Sequence, residues 1–172
     1  GIDSQVILLT TNEQTLNETI EEINAQLEDL PRKELAAKAL ENSRGIVLNS
    51  IEKCVAFSNI YAPEHLIFAC ETAEDFIPNI INAGSVFLGN YSCESAGDYA
   101  SGTNHTLPTN GYAKNYSGVS LNSFIKKITF QKLSAEGIQN IGPAIELMAE
   151  AEELFAHKNA VTLRLQDLSS KA

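Results

Sequence analysis

The chain has 172 residues, enough for one domain with a small appendage and for a core that takes in roughly 70% of the unfolded surface. Its 12 Lys and Arg stand against 22 Asp and Glu, a formal net charge of −10 that favours solubility and argues against a nucleic-acid partner, which needs a basic stripe. No run reaches the ~18 apolar residues of a membrane span, no basic-then-apolar leader opens the chain, and Cys54, Cys70 and Cys93 lie too far apart for a C-x-x-C clip, so the reducing cytoplasm is the expected compartment.

Gly1 is not an initiator, and Ile2-Asp3-Ser4 leads straight into the apolar run Val6-Ile7-Leu8-Leu9, so the chain is expected to be a piece of something longer. That run reads as a buried strand. Thr10 with Glu13 forms a capping-box pattern, and Leu16, Ile20, Ile23, Leu27 and Leu30 then fall on one helical stripe suited to packing on a sheet. Pro31 ends this helix and opens the next, which carries Leu35, Ala36, Ala39 and Leu40. After Arg44-Gly45 come a strand at Ile46-Val47-Leu48 and a helix capped by Ser50 that runs toward Tyr61 and stops before Pro63. Strand Leu66-Ile67-Phe68, a helix from Ala73 to Ile81 containing Pro78, and strand Ser85-Val86-Phe87-Leu88 follow.

Strands alternating with helices in this way predict an α/β fold: an open, largely parallel, Rossmann-like sheet with flanking helices and ligands at the carboxyl ends of its strands. From Gly89 to Gly118 the texture turns to Gly, Ser, Asn, Thr and Tyr, which reads as a long active-site loop. Beyond it a short helix and the strand Lys127-Ile128-Thr129-Phe130 are expected. The last 40 residues form a helical tail on Ile138, Ile141, Ile145, Met148 and Leu154, interrupted at Gly142-Pro143, with Val161 to Leu165 alternating like an exposed-face strand. The division is an incomplete α/β catalytic-core segment over 1–132 and a tail over 133–172.

The chemistry-bearing residues cluster around three histidines, the side chain whose ordinary pKa lies nearest neutrality. Glu64-His65 sits at a helix-to-strand junction, where neighbours can face one cleft and divide proton transfer between imidazole and carboxylate; a surface Glu beside a capping His is the plain alternative. Asp98 follows Gly97 in the loop and suits a metal or an Asx turn, with His105 seven residues on. His157 is placed at the foot of the last helix, where an imidazolium or a structural cap fits, and Glu152 converges with it only if the helix ends between them. Asp98 and His157 alone make an incomplete zinc site. No G-x-G-x-x-G, P-loop, G-x-S-x-G or H-E-x-x-H string occurs.

Taken together, Asp3-Ser4-Gln5-Val6-Ile7-Leu8-Leu9-Thr10, Ala62-Pro63-Glu64-His65-Leu66, Ala83-Gly84-Ser85-Val86-Phe87-Leu88-Gly89, Gly97-Asp98-Tyr99, Asn104-His105-Thr106-Leu107-Pro108-Thr109 and the run from Ala156 to Arg164 resemble the histidinol dehydrogenase family, in order and over nearly the whole chain. The resemblance implies a zinc- and NAD-dependent, four-electron oxidation of L-histidinol to L-histidine through the aldehyde. It implies His65 as general base, Glu64 as the carboxylate that activates water, and Asp98 as a zinc ligand. His157 would be a second zinc ligand, reaching the neighbouring subunit of an intertwined homodimer, with Glu152 a substrate contact from the same tail. His65, Asp98, His105 and His157 would line the substrate pocket. The family's other zinc ligands, in a Gln-x-x-His string, and most of its NAD-binding half lie upstream of the segment that matches Gly1, so the chain resembles a carboxyl-terminal part, inactive alone. A split relative that acts as an association module with a partner chain is the alternative, and a metal-dependent hydrolase using Glu64 and Asp98 a third reading.

Overall fold

The first strand, β1 (Ile7–Thr10), is the expected apolar run moved by one residue in the computed structural model, which describes residues 1–171. The helix after it, α1 (Glu13–Asp29), is capped by Asn12 and not by Thr10. Asn12 is extended, so its side-chain oxygen reaches the Gln14 N–H at 2.8 Å, while the Thr10 hydroxyl is occupied with the Asn12 N–H at 3.2 Å. Pro31 separates α1 from α2 (Lys33–Asn42), and β2 (Arg44–Val47) returns to pair in parallel with β1, Ile7 opposite Arg44 and Thr10 opposite Val47. Gly45 of β2 lies tight under the Leu16 side chain of α1. Of the α1 stripe, Leu16 and Leu27 are half-buried, whereas Ile20, Ile23 and Leu30 stay exposed.

Ser50 caps α3 (Ile51–Tyr61) by accepting the Lys53 N–H at 3.4 Å, and the helix stops at Ala62, which turns left-handed (φ 56°) ahead of Pro63. Next come β3 (His65–Phe68) and β4 (Ser85–Leu88), parallel, with His65 opposite Ser85 and Phe68 opposite Leu88. The connection between them is a 3-10 segment, Ala73–Asn79, where an α-helix is expected from the sequence; Pro78 inside it has no N–H for a helical ladder. Asn59 of α3 holds this connection: its amide donates to the Asn79 carbonyl at 2.8 Å and its oxygen accepts the N–H groups of Ile81 at 2.8 Å and Asn82 at 3.2 Å.

The architecture is therefore mixed α/β, but among the described residues the four strands form two separate parallel pairs rather than one open sheet. The Gly89 to Gly118 stretch is less irregular than its composition suggests, for it holds the short helix α4 (Glu94–Tyr99) and a 3-10 turn at Tyr112–Lys114. A further 3-10 turn, Leu121–Ser123, stands where the short helix is expected, but residues 127–130 form no strand. No described strand lies beside them to complete a ladder.

The chain divides into two compact units, Gly1–Ile125 and Lys126–Ala172. In the second, α5 (Ala135–Ala151) and α6 (Phe155–Ser170) pack as a hairpin. Helix α5 runs unbroken through Gly142-Pro143, against the expected interruption, because Gly142 is buried against Leu165, where even a Cβ would approach Cδ1 to 2.9 Å. The expected strand Val161–Leu165 is likewise helical. Val161, Leu165 and Leu168 are half-buried apolar positions of α6, a spacing of four and three that only a helix presents to one neighbour.

The core of buried hydrophobic residues is small: Cys54, Val55, Ala62, Ala73 and Phe87. The described chain exposes 13026 Å². Two separate compact globules of these two lengths would together expose about 9,800 Å². No helix among the described residues is long and apolar enough to cross a membrane.

Candidate functional site

The junction ahead of β3 is built from backbone. The Pro63 carbonyl accepts the Gly84 N–H and the Glu64 carbonyl accepts the Ser85 N–H, both at 2.9 Å. Gly84 is required there, because a Cβ would stand 2.5 Å from the Glu64 carbonyl oxygen. The two strands thereby meet in register from His65 onward. In a parallel pair, alternate residues share a face, so His65, Ile67, Ser85 and Phe87 point to one side. The rings of His65 and Phe87 lie on it with centroids 6.0 Å apart.

Helix α4 places two carboxylates beside that face. Asp98 Oδ1 lies 3.9 Å from His65 Nε2, and one donor atom each from His65, Glu94 and Asp98 fall within 4.8 Å of one another. The separation is too long for a hydrogen bond. Nε2 of His65 is nonetheless buried and has no hydrogen-bond partner among the described residues. A buried, orphaned imidazole nitrogen facing carboxylates is a polar group that folding alone does not satisfy. Because His65 opens β3, this cluster forms at the amino end of a strand, contrary to the expected carboxyl end.

The donor set fits zinc. Carboxylate oxygen, as on Asp98 and Glu94, is an ordinary zinc ligand, and the His65 Nε2 at 3.9 Å from Asp98 is near enough to reach a molecule held on the same ion. A nucleotide seat is another matter, since no Gly-rich phosphate cradle is present in the sequence.

The structure thus unites His65 with Asp98 and adds Glu94, which the sequence reading missed. Its signal was the four-residue spacing Glu94 to Asp98, one helical face, hidden because the segment reads as irregular. Glu64 is half-buried next to His65 but is not in the three-residue cluster. His105 is exposed on a loop pinned by Asn104, whose side chain donates to the Val119 carbonyl at 2.9 Å and accepts the Thr106 N–H at 2.7 Å. Glu152 and His157 belong to the second unit, both exposed. The chain does end a helix between them: Glu152 caps α5, and His157 lies in the first turn of α6, its N–H bonded to the Leu154 carbonyl at 3.0 Å. His157 is therefore at a helix amino end and not at the carboxyl-terminal foot expected for it, so the dipole argument for an imidazolium there falls away.

All three cysteines are free. Burial pushes the Cys54 thiol up, while the Ser95 hydroxyl, donating to Cys93 Sγ at 3.5 Å, holds that thiol below the ordinary range.

The profile of the histidinol dehydrogenase family matches residues 1–165. The chain is 60% identical over 168 residues to the histidinol dehydrogenase of Bacteroides thetaiotaomicron, covering 98% of this chain and 39% of the relative. It is 53% identical over 172 residues to the chloroplastic histidinol dehydrogenase of Arabidopsis thaliana, covering 99% of this chain and 37% of that protein. The crystal structure of histidinol dehydrogenase from Elizabethkingia anophelis superposes with a TM-score of 0.92 at 71% identity, over 98% of this chain and 39% of that one. The chain spans well under half the length of these relatives, and the matched stretch is their carboxyl-terminal part. By profile, identity and fold, the chain belongs to the histidinol dehydrogenase family.

Proposed function

We propose that this chain carries the proton-transfer residues and part of the zinc site of an enzyme that oxidises L-histidinol to L-histidine through the aldehyde, with NAD as hydride acceptor in both steps. The observation that carries the reading is the orphaned His65 Nε2 facing Asp98 at 3.9 Å. Each oxidation removes a hydride and a proton. His65 takes the hydroxyl proton of the alcohol and later that of the hydrated aldehyde, and Glu64 activates the water that forms the hydrate. Asp98, through a carboxylate oxygen, and His157 of a second copy of the chain, through a nitrogen, would hold the zinc. Glu152 and His105 contact substrate. Bound zinc would supply a Lewis-acid anchor that positions the substrate beside His65. The sequence of this chain offers no Gly-rich phosphate cradle for NAD.

The helical tail over 133–172 serves the homodimer in this reading. Leu147, Met148 and Phe155 are each more than 60% exposed within the chain, the kind of apolar surface that association covers. The parallel β1–β2 pair with its helical crossover is read as one edge of a Rossmann-like sheet. The free cysteines suit a reducing compartment such as the cytoplasm, although the Arabidopsis relative is named for the chloroplast.

The test is NAD reduction on addition of L-histidinol. The intact protein is expected to turn over, to lose activity to a chelator and to regain it with zinc. The 172-residue chain alone is expected to give none. Absence of turnover by the zinc-loaded intact protein overturns the activity, and robust turnover by the chain alone overturns its incompleteness.

A further inference from the structure

We propose that Phe87 and Gly97 are a positioning pair, in which one phenylalanine ring sets His65 on one side and, through the missing side chain of Gly97, the carboxylate-bearing helix on the other. The inference rests on the reading of His65 and Asp98 given above.

Phe87 is buried at 6% exposure near the end of β4, opposite Ile67 and on the His65 face. Gly97 is buried too, and a Cβ there would stand 2.5 Å from Phe87 Cε1 and 2.9 Å from Cζ. Carbons in ordinary contact sit about 3.5–4.0 Å apart, so the backbone of α4 rests on the ring at the closest approach that glycine permits. Thr103 clamps the same point, its hydroxyl donating to the Gly97 carbonyl at 3.0 Å. Asp98 is the next residue, and Glu94 lies three residues before Gly97 on the same short helix.

Helix α4 has little means of holding itself in place. It spans six residues, and its cap residue, Cys93, makes no side-chain capping bond. Helices this short are not stable alone. Its position is therefore owed to what it leans on, which is the ring that also borders the imidazole. The 3.9 Å between His65 and Asp98 depends on that contact together with the Thr103 hydrogen bond. An added methyl at position 97 displaces the helix on the ångström scale, where misplacement costs about a hundredfold in rate.

The test uses the intact protein and the variants Gly97→Ala, Phe87→Leu, the double variant and Thr103→Val. The His65 imidazole NMR signal is identified in the metal-free intact protein as the one lost in His65→Asn, and zinc affinity follows by competition with a chromophoric chelator. Gly97→Ala is expected to shift the His65 signal, to weaken zinc by about tenfold or more, and to lower kcat more than it raises KM. Leucine lacks the two ring atoms that the methyl would meet and leaves only the rotatable Thr103 hydroxyl, 2.8 Å from the added Cβ, so the double variant is expected to recover part of both readouts. Simple loss of packing would instead add. Thr103 is exposed, so Thr103→Val keeps the question open to measurement if Gly97→Ala does not fold; a several-fold weaker zinc affinity and a moved His65 signal are expected. An unmoved His65 signal in Gly97→Ala and Thr103→Val, or additive losses in the double variant, overturns the pair. A wild-type protein that binds no zinc overturns the metal reading instead, and the NMR comparison still decides the positioning.

Discussion

Among the described residues there are two parallel strand pairs of equal length, and the cluster of His65, Glu94 and Asp98 borders the second. In the first, β1 and β2 are joined by two helices, and the close approach is between Gly45 and the flexible end of Leu16. In the second, β3 and β4 are joined by a 3-10 connection, and the close approaches are to rigid groups: Gly84 to the Glu64 carbonyl and Gly97 to the Phe87 ring. The difference shows what a site requires of a scaffold. Where a glycine faces a side-chain tip, the contact can relax and nothing is fixed. Where it faces backbone or an aromatic ring, the distance is set, and beside these contacts the donor atoms of His65, Glu94 and Asp98 lie within 4.8 Å of one another.

The largest expected effect breaks the chemical pair at its centre. His65→Asn in the intact enzyme removes the proposed base and is expected to lower kcat by about 10²- to 10⁴-fold, read as NAD reduction, with little change in melting temperature because His65 Nε2 makes no hydrogen bond in the fold. A kcat within a few-fold of wild type would move the base elsewhere. Next in size is the contrast between glycines. Gly84→Ala drives a methyl into the Glu64 carbonyl and is expected to cost about 1–3 kcal/mol or more, measured by denaturant unfolding. Gly45→Ala meets only the movable end of Leu16 and should stay under about 1 kcal/mol. Equal costs at the two positions would erase the distinction drawn between the pairs.

Much of this was legible in the amino-acid order. Ser85–Leu88 is a strand with the bounds its apolar run predicts, Ser50 caps the helix it precedes, and Pro63 marks where that helix ends. These are local signals, and local chemistry decided them. Two of the misreadings share one physical cause, which is tertiary packing. Val161 to Leu165 alternates as a strand does, yet it is helical because Val161, Leu165 and Leu168 bury against α5. Gly142-Pro143 reads as a break but is spanned because Gly142 lets α6 approach. His65 and Asp98 stand out in their sequence strings and lie 3.9 Å apart in the fold, whereas Glu94 does not stand out, since its relation to Asp98 exists only once α4 is a helix. Phe87 was visible only as a strand residue. Its place between His65 and Gly97 depends on a contact between β4 and a helix that follows it by several residues.

A smaller effect separates scaffold from site along the same line. Asn59 carries three bonds to the connection between β3 and β4, so Asn59→Ala strips partners from the Ile81 and Asn82 N–H groups and frees the Asn79 carbonyl. Part of that backbone is exposed and regains water, so about 1–3 kcal/mol of stability is expected to go, with a secondary fall in activity because β4 enters from this connection. In the first pair, Asn12→Ala removes the oxygen that accepts the Gln14 N–H at the start of α1 and should cost about 1 kcal/mol. That loss should come with unchanged kcat and unchanged zinc affinity in the intact protein, for α1 touches β1, β2 and α2 but supplies nothing to the cluster around His65. A cap variant that weakened zinc as much as stability would show the first pair to be coupled to the metal site, and the division between a relaxed scaffold and a fixed site would have to be redrawn to include α1.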